Sequence, residues 1–247
     1  VYTPADLAFY NKGKQAPAML TDNMSTTIMT VLFPAIANES DNKDKVKNLA
    51  RQALRTMSFV IFPMMIGCAF VARPLVLTLL TSKWESCIVY MQILSIMSAL
   101  SIIGSTSLQV IKAVGKSDTL LKLEFIKKPI YFALLMIGVS ISVLGVAITG
   151  LIYTVIGTLI NSEAMSKTIE YKVTEQLKDI TPSLALSVIM GICIHIITLF
   201  NISNNLLLLT IQVLAGIIIY IALSIIFKVP EYEKIKSFFI EKIKGVK

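Results

Sequence analysis

Three stretches of this chain run without a single Asp, Glu, Lys or Arg for longer than a helix in a soluble domain needs: 88–111, 129–162 and 181–227, of 24, 34 and 47 residues. The last is broken only by a polar patch at 201–205. About 20 apolar residues of helix cross the hydrocarbon core of a bilayer. There the backbone must satisfy its own hydrogen bonds, which leaves a helix or a closed barrel. Runs of this length, without the two-residue alternation of a barrel strand, predict an all-α, polytopic transmembrane helical bundle. Composition agrees. The chain is 55% hydrophobic and 15% charged, against about 25% charged in a soluble domain, and its mean hydropathy is +0.75.

The uncharged runs and their neighbours divide into about seven spans, near 16–37, 52–80, 88–111, 120–143, 146–162, 181–200 and 206–227. Pro34 is expected to bend or end the first, and Pro63 to kink the second, which Arg73-Pro74 breaks further on. A tight uncharged turn is expected at Gly145. Residues 1–163 form a five-span bundle, 164–181 a basic loop, 182–227 two further spans, and 228–247 a basic tail. In the tail, Ile235, Phe238, Phe239 and Ile243 fall on one face of an interfacial helix.

The basic residues set the orientation. The stretch 108–129 carries Lys112, Lys116, Lys122, Lys127 and Lys128 against Asp118 and Glu124. Segments 38–51, 112–128, 164–180 and the tail hold 18 Lys and Arg, and the other side holds Lys12, Lys14 and Lys83. Lys and Arg resist translocation, so the basic side is expected in the cytoplasm and residue 1 outside. An odd span count from an outside start, beginning at Val1 with no signal segment, implies further spans upstream.

The net charge of +8 sits where anionic headgroups lie. It carries none of the aromatic and basic interleaving of a nucleic-acid binder, so no nucleic-acid partner is expected. Cys68, Cys87 and Cys193 are isolated, with no metal-ligand spacing, so neither a metal nor another cofactor is expected. The Gly115-Lys116-Ser117 triplet lacks the glycine five residues earlier that a phosphate loop needs, since position 110 is Val. It reads as a basic turn.

The candidate site residues are polar groups within or beside spans. Asp22, Asn23 and Thr26 crowd the first span, with Asp22 and Thr26 sharing a face. A carboxylate in a span is a functional candidate by default, for substrate or for proton or ion coupling; the alternative for Asp22 is a place shallow enough to meet external water. His195 is either a proton carrier or a neutral packed imidazole. Arg73 is either a partner for an anionic headgroup or a snorkelling anchor. Gln109 and Lys112 either meet a cytosolic headgroup or form a solvated loop edge. No constellation of catalytic residues stands in a loop, so no enzyme is expected.

Residues 9–15 (FYNKGKQ) and 31–36 (VLFPAI) resemble the GYYNRGKQ and VLFPAIS segments of bacterial polysaccharide-repeat-unit flippases. These are the Wzx-type branch of the multidrug/oligosaccharidyl-lipid/polysaccharide superfamily. The order continues with Phe62-Pro63, 71–75 (VARPL), 80–84 (LTSKW), 108–118 (LQVIKAVGKSD), 122–128 (KLEFIKK), Glu175-Gln176-Leu177 and Asp179-Ile180. The resemblance covers about 180 residues; beyond it the last two spans match as hydropathy alone. It implies the C-terminal half of a fourteen-span, V-shaped transporter of the bacterial inner membrane. The implied activity is moving an undecaprenyl-diphosphate-linked oligosaccharide outward by alternating access, for surface polysaccharide synthesis. Membrane lipids and polysaccharide polymerase or assembly proteins are the further implied partners. Two other readings stay open: a drug or cation antiporter of the same superfamily, which calls for strong acids within the spans, and a non-transporting membrane anchor of a glycan-assembly complex.

Overall fold

The computed structural model describes residues 3–200, 202, 204–234, 236 and 237, and for 23–29, 31 and 32 it describes the backbone alone. Ile235, Phe238, Phe239 and Ile243 of the expected interfacial face lie outside the described residues. The described chain is helical nearly throughout: α1 (Pro4–Asn38), α2 (Lys43–Phe70), α3 (Ala72–Leu79), α4 (Cys87–Ala113), α5 (Ser117–Ile141), α6 (Val143–Ile169), α7 (Val173–Ile197) and α8 (Asn205–Ile226). Among the described residues, five helical segments are long and apolar enough to cross a membrane: α2, α4, α6, α7 with its extension to Phe200, and α8. The protein is therefore a multi-pass membrane protein. α1 and α5, of 35 and 25 residues, are long enough at about 1.5 Å per residue and fall where the other two spans were expected, but they are not among those five.

Local chemistry sets the helix ends. Thr3 and Asp6 form a capping box, with Asp6 N–H donating to Thr3 Oγ1 at 3.3 Å and Thr3 N–H to Asp6 Oδ2 at 3.0 Å. Two backbone donors that the helix leaves open are thereby satisfied. Asn42 caps α2 through Lys45 N–H at 3.1 Å, and Asn204 caps α8 through Leu206 N–H at 2.9 Å. α4 stops at Gly115, whose φ of +79° suits a residue without a β-carbon. Gly115 N–H reaches Lys112 O at 3.0 Å and Lys116 N–H reaches Ile111 O at 3.2 Å, the paired bonds of a Schellman stop. The Gly-Lys-Ser triplet thus forms a helix terminus and turn.

Several expected boundaries move. The basic segments 38–51 and 164–181 are not loops: α1 and α2 leave only 39–42 between them, and α6 and α7 leave 170–172. Periodic charge on a helix that projects beyond the hydrocarbon reads, in one dimension, like loop charge. Pro34 does not end α1, and Pro63 lies inside α2. The break in the second span falls at Val71, just ahead of Arg73-Pro74. The fourth and fifth spans part at Ser142, extended at φ −174° and ψ 171°, which caps α6 through Gly145 N–H at 2.9 Å. Gly145 lies inside α6, facing Gly138 of α5.

Packing centres on α2 and α4. α1 runs parallel to α4, from Phe9 against Trp84 at 5.8 Å between ring centroids to Phe33 beside Lys112. They touch at Gly13, where a β-carbon would sit 2.7 Å from Tyr90 Cβ and 2.9 Å from Met91 N. α6 joins α4 through Asn161 Nδ2 donating to Gly104 O at 3.3 Å. α7 lies along α2, and α8 along α7 and α3, with Gln212 Nε2 donating to Ile194 O at 3.2 Å and Tyr220 O–H to Phe59 O at 2.8 Å. α5 leans chiefly on α6 and exposes Leu121, Phe125, Phe132 and Met136, as a lipid-facing helix must. Lys127 is the exception on α5. It is 5% exposed, with Nζ 2.8 Å from Glu124 Oε1, and so is covered by protein although it belongs to the basic segment.

At the end that gathers the basic segments, α2 carries Lys43, Lys47, Arg51 and Arg55 at four-residue spacing, one face of a helix. Each meets a carboxylate: Lys43 with Glu170 at 2.7 Å, Lys47 with Glu175 at 3.0 Å, Arg51 with Glu175 at 2.9 Å and Asp179 at 2.7 Å, and Arg55 with Glu231 at 2.6 Å. Tyr171 O–H donates to Asp179 at 2.6 Å, and its ring lies under the Arg51 guanidinium at 5.3 Å. Burial, then the bond to Asp179, pushes the Tyr171 phenol well above the ordinary tyrosine range. Glu231 is buried together with Val229, so the first residues of the tail fold back under the bundle instead of trailing from it.

Candidate functional site

The end opposite the basic ladder is built differently. α3 is short because the chain turns sharply after it. Thr81 sits at φ +76° and ψ 168°, a region that glycine enters freely and other residues occupy at a cost. That turn brings Glu85 back over α3, where its Oε1 lies 2.8 Å from Arg73 Nη1. Beside this pair opens a cleft of about 620 Å³ lined by Phe70, Arg73 and Pro74, Gln92 of α4, His195 of α7 and Asn205 of α8. Gln92 Nε2 donates to Ala69 O at 3.3 Å, and the Phe70 and His195 rings stand 5.9 Å apart, tilted by 59°. The cleft therefore gathers one guanidinium, one imidazole and two carboxamides at its walls.

Along the same three helices lies a second hollow of about 600 Å³, and its chemistry is the reverse. Val71 and Leu75, Met190 and Ile194, and Gly216 with Ile217 line it, closed on one side by Met19 and Leu20 of α1. Its two polar wall residues, Gln212 and Tyr220, spend their donors on backbone carbonyls. Each helix passes from one hollow to the other within a turn or two: Arg73 to Leu75, His195 to Ile194, Asn205 to Gln212. The result is an amphiphilic seam, polar at the end opposite the basic ladder and apolar toward the middle of the bundle. Phe9, Tyr10, Trp84 and Tyr90 gather at the polar end, with Lys12 over the Trp84 ring at 5.6 Å. Such aromatic belts settle at headgroup level.

Of the residues expected to form a site, the fold brings Arg73 and His195 to one cleft. His195 is exposed there and stands beside the Phe70 ring instead of being packed in a core. Asp22 is exposed on α1, about one turn beyond Met19 and Leu20. The side chains of Asn23 and Thr26 lie outside the described residues. Gln109 is half-buried and Lys112 exposed at the far end of α4, with Lys112 Nζ 6.0 Å from the Phe33 ring centroid. They take no part in the seam. Sequence reasoning missed Glu85, Gln92 and Asn205. Only the i+4 spacing of the ladder residues on α2 and α7 left a readable trace.

Comparison with known proteins follows this geometry. Residues 1–89 match a family described as "Polysaccharide biosynthesis protein". The chain is similar to "Lipopolysaccharide biosynthesis protein WzxC" of Escherichia coli (strain K12), 24% identical over 159 residues, covering 64% of this chain and 32% of that protein. It is similar to "Uncharacterized membrane protein in cps region" of Klebsiella pneumoniae, 24% identical over 153 residues, covering 62% and 32% respectively. The chain thus spans about a third of the length of these curated relatives. Among solved structures it resembles "Lipid II flippase MurJ, inward closed conformation" with a TM-score of 0.74 at 21% identity, over 92% of this chain and 48% of that one. The resemblance to Wzx-type polysaccharide-biosynthesis proteins, read from the motifs, is borne out, as is the helical-bundle fold.

Proposed function

We propose that this chain forms the C-terminal lobe of a transporter that moves a polyprenyl-diphosphate-linked oligosaccharide across the bacterial inner membrane for surface polysaccharide synthesis. The observation that carries this reading is the seam. A lipid-linked sugar is itself polar at one end and apolar along the rest, and the α3–α7–α8 hollows repeat that order. The family match over residues 1–89, the relatives' descriptions and the fold this chain shares with a lipid flippase support the same substrate class.

The physical task is to carry a charged diphosphate and its sugars past hydrocarbon. A bare charge at mid-bilayer costs at least about 2.5–3.5 kcal/mol on insertion scales, so the headgroup needs a polar, hydrated route. Asp22, Asn23 and Thr26 belong to the polar stretch of α1 that supplies part of that route, and Gln109 and Lys112 flank its entry at the basic, cytoplasmic end. The polyprenyl tail gains little by leaving lipid for an apolar groove, because lipid tails are as apolar as the groove wall. The groove therefore guides the tail rather than binding it strongly, and the lobe turns between inward-open and outward-open states around the headgroup.

The test is a strain lacking the full-length gene. Undecaprenyl-diphosphate-linked oligosaccharide should accumulate, inaccessible to externally added glycosidase, while surface glycan falls. Normal surface glycan with altered drug or dye efflux would replace this reading with the antiporter, and no change in either would leave the anchor.

A further inference from the structure

We infer that the polar cleft is a binding site for the phosphate of an anionic lipid in the leaflet opposite the basic ladder, with Arg73 as the binding cation and Glu85 as its displaceable stand-in. That the lipid is the transported one rests on the proposed function; the phosphate site does not.

The argument begins with what Arg73 does at present. Its guanidinium faces Glu85 at 2.8 Å, yet the two side chains are 66% and 49% exposed. An exposed pair of this kind adds little to stability, so the fold does not need it. The contact is a single Nη1–Oε1 approach, which leaves the rest of the guanidinium fork open to a phosphate, whose oxygens match it as a carboxylate's do. A dianionic or monoanionic phosphate can take the place of Glu85 without exposing a buried charge. The ladder at the other end offers no such exchange, because its Arg55–Glu231 and Arg51–Asp179 pairs hold carboxylates that are 5% and 14% exposed.

The surroundings fit a headgroup rather than a free ion. The cleft holds about 620 Å³, far more than one phosphate needs, and its Gln92, Asn205 and His195 offer hydrogen bonds beyond the phosphate. The apolar groove continues from it along α7 and α8, toward the side where an acyl or polyprenyl chain of the same lipid would lie. The belt of Trp84 and Tyr90 puts the cleft at the depth of headgroups. The turn that carries Glu85 bends at Thr81, whose glycine-like φ of +76° holds the carboxylate over Arg73 at the expense of local strain.

The experiment uses the purified full-length transporter in nanodiscs, with undecaprenyl diphosphate, phosphatidylglycerol and the neutral diacylglycerol as probes, and retained lipid read by native mass spectrometry. Arg73→Gln should lower retention of the phosphate lipids about tenfold and leave diacylglycerol unchanged, and Glu85→Gln should raise it about threefold by freeing the guanidinium. Arg73→Lys should fall between wild type and Arg73→Gln, because it keeps the charge and loses the fork. Equal retention by Arg73→Gln and wild type, at equal melting temperature, overturns the site. Weaker retention by Glu85→Gln overturns the stand-in role. If undecaprenyl diphosphate displaces phosphatidylglycerol, the site serves the transported lipid; the reverse assigns it to a resident phospholipid, and either result upholds the phosphate site. Arg73-dependent binding in a protein whose deletion leaves surface glycan intact would sink the flippase reading alone.

Discussion

The two ends of this bundle handle charge in opposite ways. At the basic end, four cations on α2 meet Glu170, Glu175, Asp179 and Glu231, and the contacts deepen from the exposed Lys43–Glu170 pair to the nearly buried Arg55–Glu231 pair. They join α2, the α6–α7 turn, α7 and the start of the tail into one unit. At the opposite end, the Arg73–Glu85 pair stands in the open beside a cleft. One end is closed by charges that the fold requires, and the other keeps a charge that the fold can lend to a ligand. In the proposed transporter, whose lobe would tilt as a body while admitting a lipid headgroup, the clamp lies where helices must not separate and the open pair where something must enter.

This contrast can be broken by substitution, and the largest effect falls on the ladder. Asp179→Ala removes the acceptor shared by Tyr171 and Arg51 and leaves a half-buried guanidinium without it. Loss of one partner of a fully buried pair costs about 3–5 kcal/mol; Arg51 is partly exposed and keeps Glu175, so the cost here is about 3 kcal/mol, seen as a fall in the thermal midpoint of the purified full-length protein. Asp179→Ala combined with Arg51→Ala should recover part of it. A midpoint like wild type for the single variant would remove the clamp. Next in size is Gly13→Leu at the α1–α4 contact, where Tyr90 Cβ and Met91 N leave no room. Overpacking of this sort costs about 1–3 kcal/mol, and the same melting measurement reads it. Arg73→Gln should shift the midpoint by no more than about 0.5 kcal/mol while changing lipid retention, which is the sharpest form of the contrast.

The smallest effects come from the exposed rung and from pH. Lys43→Ala should leave the melting temperature unchanged within error. The Glu170 carboxylate lies below its ordinary 4.5 because Lys43 bonds and attracts it. Its slight stabilisation is therefore complete above pH 4.5 and fades as pH falls through its lower folded value, so a midpoint that declines between pH 7 and pH 5 must come from other groups. Tyr171 has the opposite sign. Its raised value keeps the phenol neutral when exposed tyrosines ionise near pH 10, and ultraviolet difference titration should show it missing from the first ionising set.

How much of this was readable in advance depends on what kind of physics each feature uses. The spans at α4, α6 and α8 were plain, because a bilayer imposes length and composition on each helix separately. The Gly115 stop was plain as a turn, because its requirement is local. The segments 38–51 and 164–181 were misread as loops, because a helix that projects past the hydrocarbon mixes charged and apolar residues as a loop does. The burial of Lys127 left no trace either. Its stem lies against α6 near Gly157, 30 residues away, and no local pattern announces that. Arg73 and His195 were named separately, yet their meeting in one cleft with Gln92 and Asn205, beside Glu85, joins α3, α4, α7 and α8, and nothing along the chain orders those helices.

The amino-acid sequence alone determined that this chain is a multi-pass helical membrane protein with one strongly basic side, and its motifs placed it beside the polysaccharide flippases. Those properties are sums over neighbours in sequence, the scale on which lipid and headgroup charge act. Only the tertiary structure decided which charges are spent and which remain available. An ion pair is a distance between helices, and whether Arg51 or Arg73 is the reactive cation depends on the carboxylate that packing brings to it and on the water left around the two.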